Sequence, residues 1–130
     1  MITTVNPADI APTFGHYSHG VEFALPKRML KTSGQLAVDM QKNIPESAFS
    51  QATLIFENLE KILISSKMKR ENIIHLAAYV TERSYMQEYM RARDNYFQGL
   101  SQFPASTLII VSGFTKPEFK VEIELTAISN

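Results

Sequence analysis

The sequence predicts an α+β domain in which one mixed sheet carries two helices on a single face. Three observations point there. An apolar stripe at helical spacing runs through Ala52, Ile55, Phe56, Leu59, Ile62 and Leu63. A second spacing, with period two and one apolar and one mostly polar face, covers Val121 to Ile128. Between and around these, strand and helix patterns interleave with no repeat and no low-complexity stretch. A chain of 130 residues can bury one core unaided, so residues 1–130 are read as a single domain.

Taken in order, Asn6 to Gly20 is dense in Pro, Gly and Asn and carries no period, so it reads as a long irregular loop, a kind that often carries function. Val21 to Leu25 and Arg28 to Ser33 are strand candidates split by Pro26-Lys27, and a hairpin is expected there. Thr32-Ser33-Gly34-Gln35 ends the second, where the glycine marks a close backbone approach. The helix stripe then runs from Pro45 to about Ser66, with Pro45 and Glu46 suited to its first turn. Lys67, Lys69 and Arg70 follow its negative end; a solvated helix terminus accounts for this basic cluster without a nucleic-acid ligand.

Ile73 to Val80 reads as a strand with Ile74, Leu76, Ala78 and Val80 on one face and His75 and Tyr79 on the other. Ser84 and Gln87, three apart, have the spacing of a capping box. The helix they open carries Met86, Tyr89, Met90, Tyr96, Phe97 and Leu100, has Arg91, Arg93 and Asp94 assigned to its wet side, and stops near Gly99. Thr107 to Val111 is β-branched and short, which suggests a strand buried on both faces. Its neighbour alternates Val121, Ile123, Leu125 and Ala127 with Glu122, Glu124, Thr126 and Ile128. With both helices on one face of the sheet, the other needs a cover, and a subunit interface is the natural one.

Composition narrows the chemistry. Thirteen basic and thirteen acidic side chains cancel, which argues against a nucleic-acid binder, whose affinity is largely phosphate neutralisation. The absence of cysteine removes disulfides, thiolate nucleophiles and Cys-ligated zinc. Met1 to Pro7 has neither the basic segment nor the apolar run of a secretory leader, and no later run is long enough to span a bilayer, so a cytoplasmic protein is expected. His16, His19 and His75 lack the carboxylate company of a metal site, and no metal is expected. Neither a serine elbow nor a glycine-rich phosphate loop occurs.

Glu122 is the strongest catalytic candidate. Glu122 and Glu124 point the same way from one strand, and a partly desolvated carboxylate can deprotonate a water or return a proton to a reacting atom. Equally, it can be an interface or solvent-facing glutamate with no chemistry. Tyr17 offers a loop hydroxyl, as donor or as a satisfied buried tyrosine. Ser33 and Gly34 supply a hydroxyl and a backbone donor, or simply end a strand.

Several fragments together resemble the RidA family, also called the YjgF or Rid superfamily, over nearly the whole chain. Gly15-His16-Tyr17-Ser18-His19-Gly20-Val21 is similar to its Gly-Pro-Tyr motif, Thr32-Ser33-Gly34-Gln35 to its Ser-Gly-Gln, and Phe56-Glu57-Asn58-Leu59 to its helical Leu-Glu-Asn. Phe103-Pro104-Ala105-Ser106 is similar to its Pro-Ala-Arg-Ser, and Lys120-Val121-Glu122-Ile123-Glu124 to its closing Ile-Glu-Ile-Glu. The resemblance implies a chorismate-mutase-like fold, a homotrimer, and a small-molecule ligand in each cleft between subunits. It further implies hydrolysis of enamines and imines without cofactor or metal, with Glu122 and Tyr17 as catalytic residues and Ser33 and Gly34 lining the cleft. Three positions depart from the pattern. Ser106 stands where the family arginine clamps a carboxylate, Met90 replaces a cleft asparagine, and Leu108 a small or polar residue, so the cleft is expected to be more apolar.

Two function classes follow. In the first, the protein hydrolyses an enamine or imine lacking a carboxylate at the usual place, with Ser106 and Thr107 giving hydroxyl contacts in place of the clamp. In the second, the same trimer binds or senses a small apolar metabolite without turnover. A ribonuclease is the weakest reading given the charge balance.

Overall fold

In the computed structural model, which describes residues 1–130, the chain runs β1 (Ile2–Val5), β2 (Gly20–Phe23), β3 (Arg28–Lys31), β4 (Gln35–Leu36), α1 (Ala48–Ser65), a 3-10 turn (Arg70–Asn72), β5 (Ile73–Val80), α2 (Tyr85–Tyr96), β6 (Ala105–Ile110) and β7 (Val121–Ser129). The alternation read in β7 sets the layers: Val121, Ile123, Leu125 and Ala127 are fully buried, while Glu122, Glu124 and Thr126 are half-buried on the opposite face. The main sheet has the order β3-β7-β5-β6, with β4 also on β7. Strands β5 and β6 are parallel and the other pairs antiparallel. A parallel pair needs a crossover, and α2 supplies it.

Both helices lie on the face that buries Leu76, Ala78, Val80, Ile123 and Leu125, against which α1 sets Ala52, Ile55, Phe56, Leu59 and Leu63. Each of the larger side chains among these, Val, Leu, Ile and Phe, contributes about 1.5–3 kcal/mol of burial free energy when fully removed from water. Phe56 ties the helices together: its ring centroid lies 4.8 Å from that of Tyr96 and 6.2 Å from that of Tyr89. The α+β architecture of two helices on a mixed sheet is therefore as the sequence predicts, with a small second sheet of β1 and β2 beside it.

Several local expectations are corrected. The predicted hairpin across Pro26-Lys27 does not form, because β2 pairs with β1 in a separate two-stranded sheet and β3 pairs with β7. No pattern marks β1, whose four residues are too few to show a period. Helix α1 begins at Ala48 instead of Pro45, since the Ser47 side chain accepts the Ser50 N–H and caps it. Ser84 makes no capping hydrogen bond, its hydroxyl turning to Glu82, so the expected box is absent. The strand expected to be buried on both faces is the sheet edge, with Ile109 and Ile110 48% and 39% exposed in the single chain. The second helix ends at Tyr96 with Phe97 as its C-cap, and Gly99, with φ of 89°, turns the chain just beyond it.

Between β3 and β7 the register carries one extra residue. Lys31 faces Thr126 and Gln35 faces Ile123, so Thr32, Ser33 and Gly34 lie opposite only Leu125 and Glu124. This is a bulge, held from both directions: the Thr32 N–H donates to the Leu125 carbonyl at 3.0 Å and the Leu125 N–H donates to Thr32 Oγ1 at 3.0 Å. The bulge brings Gly34 against Glu122, with Ser33 exposed next to it in the chain.

Candidate active site

Residues directly opposite one another in neighbouring strands share a face. Glu122 faces Tyr79, Glu124 faces Ala77, and Tyr79 and Ala77 face Ile109 and Thr107. All lie on the open side of the sheet. Ser106 and Leu108 face Leu76 and Ala78, on the helix side. The sheet therefore divides the sequence-predicted site residues of one chain into two groups.

The open-face group centres on Glu122 with Gly34. A Cβ added at Gly34 would stand 2.5 Å from Glu122 Oε1 and 2.6 Å from its Cδ, so the carboxylate lies directly over the glycine. The two strand glutamates, indistinguishable by pattern, have different surroundings. Glu124 pairs with Lys31 and accepts a hydrogen bond from the Tyr79 hydroxyl at 2.9 Å. The hydrogen bonds from Lys31 and then Tyr79 hold its carboxyl below the usual carboxylate range. Glu122 takes part in neither of the chain's ion pairs. Desolvation, and then the negative charge of Glu124, push its carboxyl above the usual range. Thr107 is also on this face, its Oγ1 3.4 Å from His75 Nε2, and so stands apart from Ser106.

The helix-side group is Tyr17, Met90, Ser106 and Leu108, which line one cavity of about 360 Å³ together with Phe14, Met86 and Arg93. The long loop is what brings Tyr17 here. Its neighbour Ser18 donates its N–H to the Pro104 carbonyl at 2.8 Å and its hydroxyl to the Phe103 carbonyl at 2.6 Å, fastening the loop to the start of β6. The His16 ring stacks on Phe103 at 4.6 Å, and the His16 backbone N–H donates to Asp94 Oδ1 at 3.0 Å. His19 is likewise a loop residue, its Nε2 2.8 Å from the Ala11 carbonyl. No three His, Cys, Asp or Glu side chains are grouped so as to hold a metal ion.

Arg93 corrects the sequence reading. Assigned to the wet side of α2, it is 2% exposed, with its guanidinium carbon 4.9 Å from the Tyr17 ring centroid. The signal was present in the spacing: Met86, Tyr89, Met90 and Arg93 recur at three and four, placing the arginine on the buried stripe.

One consequence is testable without knowing the ligand. Gly34→Ala pushes on the flexible end of Glu122 and not on backbone, at an exposed position. The expected result is a change in stability below about 0.5 kcal/mol but a displaced carboxylate, read by thermal melting and by NMR titration of Glu122.

The family model described as Endoribonuclease L-PSP matches residues 8–129. A RutC family protein of Aquifex aeolicus is 30% identical over 115 residues, covering 88% of this chain and 89% of that one. Among solved structures, the conserved Rid family protein YyfB from Yersinia pestis superposes with a TM-score of 0.87 at 23% identity, covering 98% of both chains. E. coli TdcF, solved with bound serine, superposes with a TM-score of 0.74 at 26% identity, over 96% of this chain and 94% of that one.

Proposed function

Because this chain belongs to the Endoribonuclease L-PSP family, the RidA/YjgF superfamily, we propose that it hydrolyses an enamine or imine of a small metabolite in clefts between the subunits of a homotrimer. The observation that carries this reading is Glu122: a carboxylate without an ion-pair partner, raised above its usual range by desolvation, lying over the Gly34 backbone. Such a group takes a proton from water near neutral pH more readily than an ordinary carboxylate. The division of the site by the sheet supports the assembly. The open face with Glu122 and the edge cavity with Tyr17 and Ser106 belong to one site only if a second copy sets its β6 edge against the first copy's open face. Half-exposed Ile109 and Ile110 on that edge suit such a contact.

In the step that follows, water oxygen attacks the imine carbon as Glu122 accepts one water proton. The π electrons of the C=N bond move to nitrogen, which takes the proton from Glu122. The carbinolamine then expels ammonia, leaving the carbonyl product. An enamine enters after protonation at carbon gives the imine. Tyr17 donates to the reacting nitrogen or oxygen, and Ser33 and the Gly34 backbone hold the water. Bound serine in TdcF supports a small metabolite, not a polynucleotide, as the occupant, and so does the charge balance.

The test measures how far the protein accelerates keto-acid formation from 2-aminoacrylate, and from imines released by an amino-acid oxidase, across pH. The acid limb is expected above the ordinary carboxylate range, because the base must be ionised and its pKa is raised. Glu124→Gln removes a neighbouring negative charge and moves that limb to lower pH, by less than the whole displacement since desolvation is the larger cause. No acceleration with any of these substrates overturns the hydrolase, and the apolar lining by Met86, Met90 and Leu108 then favours a binding trimer.

A further inference from the structure

Arg93 is the one charged side chain of the protein that is buried. Its Nε donates to Asp94 Oδ1 at 3.1 Å, which ties down one edge of the guanidinium. Nη2 is buried with no hydrogen-bond partner. Gly15 makes room for it, since a Cβ there would lie 2.6 Å from Nη2. The guanidinium carbon sits between two aromatic rings, 4.9 Å from the Tyr17 centroid and 5.7 Å from the Tyr89 centroid. The Tyr89 hydroxyl is also buried without a close partner, faces Ser106 and Arg93, and is pushed up to about 12 chiefly by burial. It is therefore a neutral donor.

An unpaired donor on a cavity-lining side chain is costly to keep, forfeiting on the order of 1–3 kcal/mol. Asp94 offsets the charge on one side and leaves the other edge of the fork unpaired. An acceptor brought by a ligand satisfies it, and an anionic acceptor suits a guanidinium best. The rest of the lining, Met86, Met90 and Leu108, is apolar.

We propose that Arg93 is the carboxylate anchor of the cleft. Nη2, with the hydroxyl of Ser106, receives the carboxylate of a small monocarboxylate whose apolar body packs on Met86, Met90 and Leu108. Strand β6 holds no arginine; the cation comes from helix α2. The substrate expected from sequence to lack a carboxylate then has one after all, held from the helix side. This rests on the cleft being the ligand site, as proposed above.

The test uses the assembled protein and calorimetric titration with phenylpyruvate and its uncharged counterpart phenylacetone. Phenylpyruvate is expected to bind at least about tenfold tighter, the weight of a hydrogen bond to a charged group. Arg93→Met should erase that preference, and adding Ser106→Arg in the same chain should restore it. Where Arg93→Met does not fold, nitrogen-labelled arginine in the native protein gives the readout: the Arg93 signals shift with phenylpyruvate and not with phenylacetone. No preference in the native protein, a preference that survives Arg93→Met, or unshifted signals overturn the proposal. Arg93-dependent binding in a protein that accelerates no hydrolysis upholds the anchor and removes the enzyme, while hydrolysis with binding indifferent to Arg93 does the reverse.

Discussion

Glu122→Gln is expected to lower turnover of an enamine or imine by at least about 100-fold, the usual weight of a positioned general base, with little change in KM. Glutamine matches glutamate in size, so the contact over Gly34 persists; what disappears is the group that accepts the proton. The same change should leave the melting temperature at pH 7 equal or higher. The sign follows from linkage. A carboxyl whose pKa is raised on folding binds its proton more tightly in the native state, so its ionisation weakens the fold as pH rises through the raised value. Removing the charge relieves that cost at neutral pH. Well below the unfolded carboxylate range both states are protonated and the advantage vanishes. Melting curves at pH 7 and pH 4, beside the turnover assay, check both halves. A variant that keeps its activity rules Glu122 out as the base, and one that loses activity only by unfolding leaves it without support.

The largest stability effect is expected at Gln51, a fully buried polar side chain of α1. Its Nε2 donates to the Pro45 carbonyl at 2.8 Å and the Glu118 carbonyl at 2.9 Å, and its Oε1 accepts the Lys120 N–H at 2.8 Å. One amide thus satisfies three backbone groups, one in the segment that leads into α1 and two in the segment that leads into β7. Gln51→Ala leaves all three unpaired and opens a void, and should cost about 3–5 kcal/mol at 1–3 kcal/mol for each orphaned group, partly recovered by water. Urea denaturation gives the number. A loss below about 1 kcal/mol would show that water fully replaces the amide.

Local pattern revealed the long elements and concealed the pairing. Strand β5 is seen at its predicted limits because eight residues alternate cleanly between core and open face. The first four strands are only two to four residues long, too few for a period, and Pro26-Lys27 looks like a hairpin turn although the strands beside it join different sheets. Partner choice is set by distant residues, such as the hydrogen bonds of Thr32 to Leu125, which no local window contains. The site was half legible. Two glutamates on one strand face were plain, but which is paired depends on Lys31 and Tyr79, more than forty residues away in the chain. Arg93 was misassigned because charge was allowed to outweigh the spacing that put it with Met86 and Met90.

Strand β6 borders the sheet, and beyond the bridge from Ser18 to Ala105 its outer backbone edge has no strand partner. The same residues wall the cavity with Ser106 and Leu108. In the proposed assembly, a copy docked along that free ladder also braces the pocket wall, so the proposal links pocket occupancy to cohesion between copies through one stretch of main chain. Dilution that separates such copies is then expected to weaken ligand binding as well.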